Sequence, residues 1–98
     1  MTLSPSKASL SNRAICSDNV LIQQVGDETV LLDLAGEQYF GLDAVGSRIW
    51  QLMKDEANDL AAIAMALNFE FEANLAQIEH DLLVLTNELV AAGLVELR

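Results

Sequence analysis

The chain holds one histidine, His80, and one cysteine, Cys16, the only pair able to supply an imidazole base and a thiolate nucleophile. They do not read as partners. His80 falls on the polar side of an amphipathic pattern, where a solvent-facing imidazole is the simplest reading. Cys16 falls in a serine-rich N-terminal stretch or just before a strand, where an inert thiol is the expectation. A single cysteine also excludes an internal disulfide and a thiolate metal cluster. The carboxylates are scattered through turns and helix ends without the spacing of a calcium loop, and no two accompany the histidine as a metal site requires. The glycines, Gly26, Gly36, Gly41, Gly46 and Gly93, fall singly, so there is no phosphate-cradling loop. These residues predict a noncatalytic binding module that needs no metal and no cofactor.

Charge narrows what such a module binds. Five Lys and Arg against 15 Asp and Glu leave a net charge of −10, which disfavours nucleic acid and anionic membrane surfaces alike. A partner with basic, neutral or apolar character fits better. With 98 residues, 52% of them hydrophobic, the chain suits one domain able to bury roughly 60–65% of its unfolded surface. Its mean hydropathy of +0.29 excludes an acidic disordered polypeptide. The N-terminal residues lack an apolar run of signal-peptide length. The longest purely apolar run, Leu60 to Leu67, is far shorter than the roughly 20 residues that span a bilayer. Cytoplasmic residence without membrane attachment is the expectation.

The elements that position these side chains follow from pattern. Residues 1–18 are Ser-rich, carry Pro5 and show no periodicity, reading as a flexible arm with room for extended pairing near Arg13 to Cys16. Residues 19–98 form the folded domain. Val20–Val25 and Thr29–Ala35 are β-rich runs about a Gly26-Asp27-Glu28 hairpin signal. After a turn at Ala35-Gly36-Glu37, Gln38–Leu42 reads as a third strand. Beyond Leu42 the period becomes helical. Asp43 caps a helix with Val45, Ile49, Leu52 and Met53 on one face and Trp50 on its flank. The acidic run Asp55–Asp59 breaks it and caps a short second helix, Leu60–Leu67, which Asn68 ends before a bridging Phe69-Glu70-Phe71. A third helix opens at Ala73 or Asn74 and runs to about Ala92. Its apolar stripe is Leu75, Ile78, Leu82, Leu85 and Leu89, with a shoulder at Leu83 and Val90 and Thr86 between. Gly93 closes it, and Leu94–Leu97 is a short final strand. The sum is an α+β domain, a three-stranded antiparallel β-sheet packed on a three-helix unit.

Tyr39 and Phe40 take opposite faces of their strand. Phe40 shares parity with Leu42 and belongs to the core, leaving Tyr39 on the other side beside Gly41. Tyr39 either covers the sheet or faces a partner. If Gln38–Leu42 is an edge strand, it has no proline or lysine to protect it, and its free N–H and C=O groups can receive an incoming peptide strand.

The segment GEQYFGLDAVGSRIW (Gly36 to Trp50), with the terminal LVAAGLVEL, resembles the PqqD family. The match runs through Gly36, Tyr39, Phe40, Leu42, Val45, Gly46, Ile49, Trp50, Asp81, Leu82, Leu85, Leu89, Gly93, Leu94 and Val95, and spans about Val20 to Leu97. Asp43 stands where the family more often has Asn; either can cap a helix. The resemblance implies a precursor-peptide recognition element in which three strands pack on a winged helix-turn-helix trio. Such domains take the leader of a ribosomally made peptide as an added strand and present it to a modifying enzyme, which is a radical SAM enzyme, a protease or a cyclase. Carried onto this chain, the peptide site comprises Gln38, Tyr39, Phe40, Gly41 and Leu42 with a wall of Ile78, Asp81, Leu82 and Leu85. The sequence leaves open whether the groove uses that flank of the third helix or the shoulder of Leu83, Thr86 and Val90.

Two other classes compete. A winged helix-turn-helix is also a DNA-binding architecture, but the presumptive recognition helix carries Glu79, Asp81 and Glu88 and no Lys or Arg. An oligomerisation module would pair the edge strand with its own copy. The face assignment is testable by circular dichroism. Phe40→Asp should unfold the domain, whereas Tyr39→Ala should leave it folded; an unfolded Tyr39→Ala protein would reverse the two faces.

Overall fold

A computed structural model describes residues 7–55 and 59–98. In chain order it contains β1 (Ala14–Cys16), β2 (Val20–Val25), β3 (Glu28–Asp33), β4 (Gln38–Leu42), α1 (Ala44–Asp55), α2 (Leu60–Phe71), α3 (Leu75–Ala91) and β5 (Val95–Leu97). The antiparallel meander β2-β3-β4 is one sheet, and β1 pairs antiparallel with β5 as a second. Val25 pairs with Glu28 around a two-residue loop, and Gly26 takes the positive φ of +67° that so tight a reversal demands. At the next turn Asp33 Oδ1 accepts from the Ala35 N–H at 3.1 Å, and the chain returns so that Leu31 lies opposite Phe40 and Leu32 opposite Tyr39.

Strand parity decides what reaches the core. Thr29, Leu31 and Leu42 are buried and Phe40 is half-buried on one face, while Tyr39 is exposed on the other. The helices close over that face with Ile49, Trp50, Leu52 and Met53 from α1 and Leu60, Ile63, Ala64 and Leu67 from α2. Trp50 is deeper than a flank position, only 2% exposed, and its indole N–H has no hydrogen-bond partner among the described residues. Each helix start is satisfied by a side chain. Asp43 Oδ1 accepts from Gly46 N (2.8 Å), Asp59 Oδ1 from Ala61 N (3.0 Å) and Asn74 Oδ1 from Gln77 N (3.1 Å). Of the acidic run expected to separate α1 from α2, Glu56, Ala57 and Asn58 lie outside the described residues, as does Met1–Ser6 of the arm.

Three features depart from the pattern reading. First, α2 continues through Phe69–Phe71 and stops only at Glu72, whose φ of 50° is left-handed. The Arg48 guanidinium holds this last turn to α1 through two 2.8 Å bonds to Glu70. Those bonds, aided by the guanidinium charge, lower the Glu70 pKa against a small opposing effect of burial. The stabilisation, within about 1 kcal/mol for so exposed a pair, is present above the usual Glu pKa and fades as pH falls through the lowered one.

Second, the buried seam of α3 is Leu82, Thr86 and Leu89, with Leu75, Ile78 and Leu85 only half-buried. Thr86 can occupy the centre because its hydroxyl donates to the Leu82 carbonyl at 2.7 Å, leaving no unpaired polar group. Third, residues 7–18 of the stretch read as an arm pack on the domain. β1 gives β5 a partner, Arg13 and Arg98 exchange backbone bonds of 2.8 and 2.9 Å, Ala8 N donates to Asn87 Oδ1 at 2.7 Å, and Ala14 is fully buried. β1 falls where extended pairing was expected near Arg13 to Cys16, and β5 within the expected Leu94–Leu97.

The weight of the core over the caps can be measured by urea unfolding. Leu31→Ala should cost about 2–5 kcal/mol. Asp59→Ala, which removes one capping bond, should cost about 0.5–2 kcal/mol. A smaller loss for Leu31→Ala than for Asp59→Ala would contradict the placement of the core under β3.

Candidate peptide-binding groove

β4 bonds to β3 along one side, and no described strand pairs with its other side. Alternate residues of an edge strand direct N–H and C=O groups outward, so β4 presents an open row of donors and acceptors. Nothing lies within 4 Å of where a Cβ on Gly41 would stand, so the approach is unobstructed there.

The walls beside this edge come from two helices. Asp43 caps α1 immediately after Leu42, which pins the first turn of α1 to the end of the strand. Gly46 permits the closeness, since a Cβ there would stand 3.2 Å from Asp43 Oδ1 and 3.3 Å from Leu42 Cδ2. Val45 is thereby left 40% exposed, facing the opening instead of joining the core stripe expected of it. Opposite stands one flank of α3. Between them lies a cavity of about 530 Å³ lined by Phe40, Gly41 and Leu42 of β4, Asp43, Val45, Gly46 and Ile49 around the start of α1, and Asp81, Leu85 and Glu88 of α3. Its floor is apolar and its rim carries three carboxylates. Asp81 Oδ1 accepts from Gln77 Nε2 at 2.9 Å; Asp43 Oδ1 is engaged in its cap.

Five of the nine residues assigned from sequence, Phe40, Gly41, Leu42, Asp81 and Leu85, therefore meet in one cavity. Gln38 and Tyr39 extend the same strand beyond the lining, with Tyr39 76% exposed on the outer face. Ile78 is half-buried one turn before Asp81 and outside the lining. Leu82 has no exposed surface, lies in the core and is outside the lining. The cavity opens on Asp81 and Leu85, whereas Thr86 of the alternative shoulder is fully buried. Val45, Gly46, Ile49, Glu88 and the capping Asp43 line the cavity without having been assigned to the site. The first two follow from the strand running straight into a capped helix, and Glu88 from its position seven residues, two turns, beyond Asp81.

Neither His80 nor Cys16 lines this cavity. Among the described residues, no three His, Cys, Asp or Glu side chains gather as a metal site would need. No helix there is long and apolar enough to cross a membrane.

An α+β domain with a meander edge strand set between two helices is the architecture of a known family. The family model for coenzyme PQQ synthesis protein D (PqqD) matches residues 28–95, and the chain belongs to that family. Among solved structures, it is similar to TbiB1 in complex with the TbiA(beta) leader peptide, at 39% identity and a TM-score of 0.76, over 84% of this chain and 94% of that one. A lasso peptide synthetase B1 complexed with its leader peptide shares the fold, at 24% identity and a TM-score of 0.74, over 86% and 98% of the two chains. No curated protein matches the chain.

Proposed function

We propose that this protein binds the leader of a ribosomally synthesised precursor peptide as a fourth strand on β4 and presents it to a modifying enzyme without catalysing a reaction itself. The observation that carries the proposal is the coincidence of an unpaired strand edge with an apolar-floored cavity along it. Strand hydrogen bonds give register and affinity, and alternate side chains of the guest enter the cavity and give specificity. The 39% identity to TbiB1, a protein seen with a leader peptide bound, supports the same use here. The peptide site is then Gln38–Leu42 with Val45, Asp81 and Leu85. The enzyme served is a radical SAM enzyme, a protease or a cyclase, and the encounter takes place in the cytoplasm.

The DNA-binding alternative loses support because α3 carries Glu79, Asp81 and Glu88 and no Lys or Arg, so it repels the phosphates it would have to contact. The self-pairing alternative makes β4 join a second copy, which light scattering across a concentration series detects.

The test is calorimetric titration with the leader segment of the precursor encoded beside this protein's gene. Wild type should show one-to-one binding. Val45→Asp should fold normally, since it replaces an exposed residue in the first turn of a helix, where a carboxylate is favourable. It should nevertheless bind at least about tenfold more weakly, because the guest's apolar side chain would meet a charge. Unchanged binding by Val45→Asp, or no heat from wild type with or without the neighbouring enzyme, would overturn the proposal.

A further inference from the structure

The rim of the groove has a chemistry that the edge strand and apolar floor do not explain. All three ionisable residues lining it, Asp43, Asp81 and Glu88, are acidic, and none of the chain's five Lys and Arg lines it. Arg48 is directed at Glu70 and Gln51, and Arg98 at Glu96. Asp43 is committed to capping α1. The Glu88 carboxylate has no hydrogen bond or ion pair with any described residue, and the only partner of the Asp81 carboxylate is the neutral amide of Gln77. Two exposed anions therefore stand on the α3 wall of a cavity, and no described residue neutralises them.

We infer that Asp81 and Glu88 select leaders carrying a Lys or Arg beside the apolar residue that fills the cavity, so that the recognised class is a basic–apolar strand and not merely an apolar one. This rests on the leader-binding reading and specifies its ligand. Leu85 lies between the two carboxylates on the same flank, about 6 Å along the helix axis from Asp81 and about 4.5 Å from Glu88. A strand in the groove turns side chains to one face every 6.4–6.8 Å or so. Because Val45, Leu85, Asp81 and Glu88 line one cavity, an apolar side chain against Val45 and Leu85 brings a neighbouring side chain of the guest within reach of a carboxylate. A cation there gains an ion pair at the half-solvated rim. An Asp or Glu there meets like charge, which excludes acidic segments of similar hydrophobicity.

The experiment is fluorescence anisotropy with the labelled leader encoded beside this protein's gene, at about 50 and about 500 mM NaCl. The double variant Asp81→Asn/Glu88→Gln removes both charges while keeping shape and the Gln77 contact. Asp27→Asn/Glu96→Gln removes the same amount of charge from surfaces outside the groove. The rim variant should bind roughly fivefold more weakly than wild type at low salt and lose most of the salt dependence, while the control stays within about twofold. Replacing the leader's basic residues with Gln should weaken wild-type binding similarly and add little to the rim variant, as coupled partners do. Equal affinity and equal salt dependence for wild type and rim variant would overturn the charge selection while leaving leader recognition standing. A leader without a basic residue that binds wild type tightly would do the same. Absence of binding by wild type, with or without the neighbouring enzyme, would overturn both.

Discussion

A β-strand must satisfy its backbone on both sides, and among the described residues β4 has a partner on only one. Most of what surrounds it serves to keep that open side straight, reachable and flanked. Leu31 and Leu42 bury the inner face and so hold the register. A slip of one residue would send Tyr39 inward and Phe40 out. Asp43 then ends the strand and begins α1 in a single residue, so the helix starts against the strand and brings Val45 to the opening. The opposite wall depends on Thr86, whose hydroxyl bond to Leu82 lets α3 pack tightly enough to present Asp81, Leu85 and Glu88 at a fixed offset.

The sheet has a second edge, β2, and the contrast between the two is informative. Leu21, Ile22 and Val25 of β2 are exposed, and this strand projects beyond the helices. Val25 at its end touches a cavity of about 370 Å³, but no residue of α3 walls that cavity. At β4 the same backbone groups lie beside about 530 Å³ of apolar-floored space. Strand addition supplies affinity at either edge, but only β4 couples it to side-chain selection, and the unneutralised carboxylates of α3 add a second criterion to shape.

Much of this was legible in sequence because it rests on short-range rules. The Gly26-Asp27 reversal, the parity of Phe40 and Leu42, the caps Asp43 and Asn74 and the terminal Gly93 each depend on a few neighbouring residues. What escaped depends on partners distant in the chain. Residues 7–12 pack on the domain, with Ala8 N donating to Asn87 Oδ1, and Phe69–Phe71 continues α2, whose last turn Arg48 ties to α1 through Glu70. The stripe of α3 was seen but mis-centred: hydrophobicity ranks Leu75, Ile78 and Leu85 above Thr86, whereas the fold buries Thr86 and leaves those three partly open.

The central claim is that the guest strand forms on β4, and residue-resolved amide hydrogen exchange by NMR tests it most directly. Exchange would be followed with and without a saturating amount of the leader peptide encoded beside the gene. Strand addition predicts that outward-facing amides within Gln38–Leu42 slow markedly on peptide binding while those of Val20–Val25 exchange as before. Protection centred on Val20–Val25, or binding that leaves the β4 amides as open to exchange as in the free protein, would contradict the account.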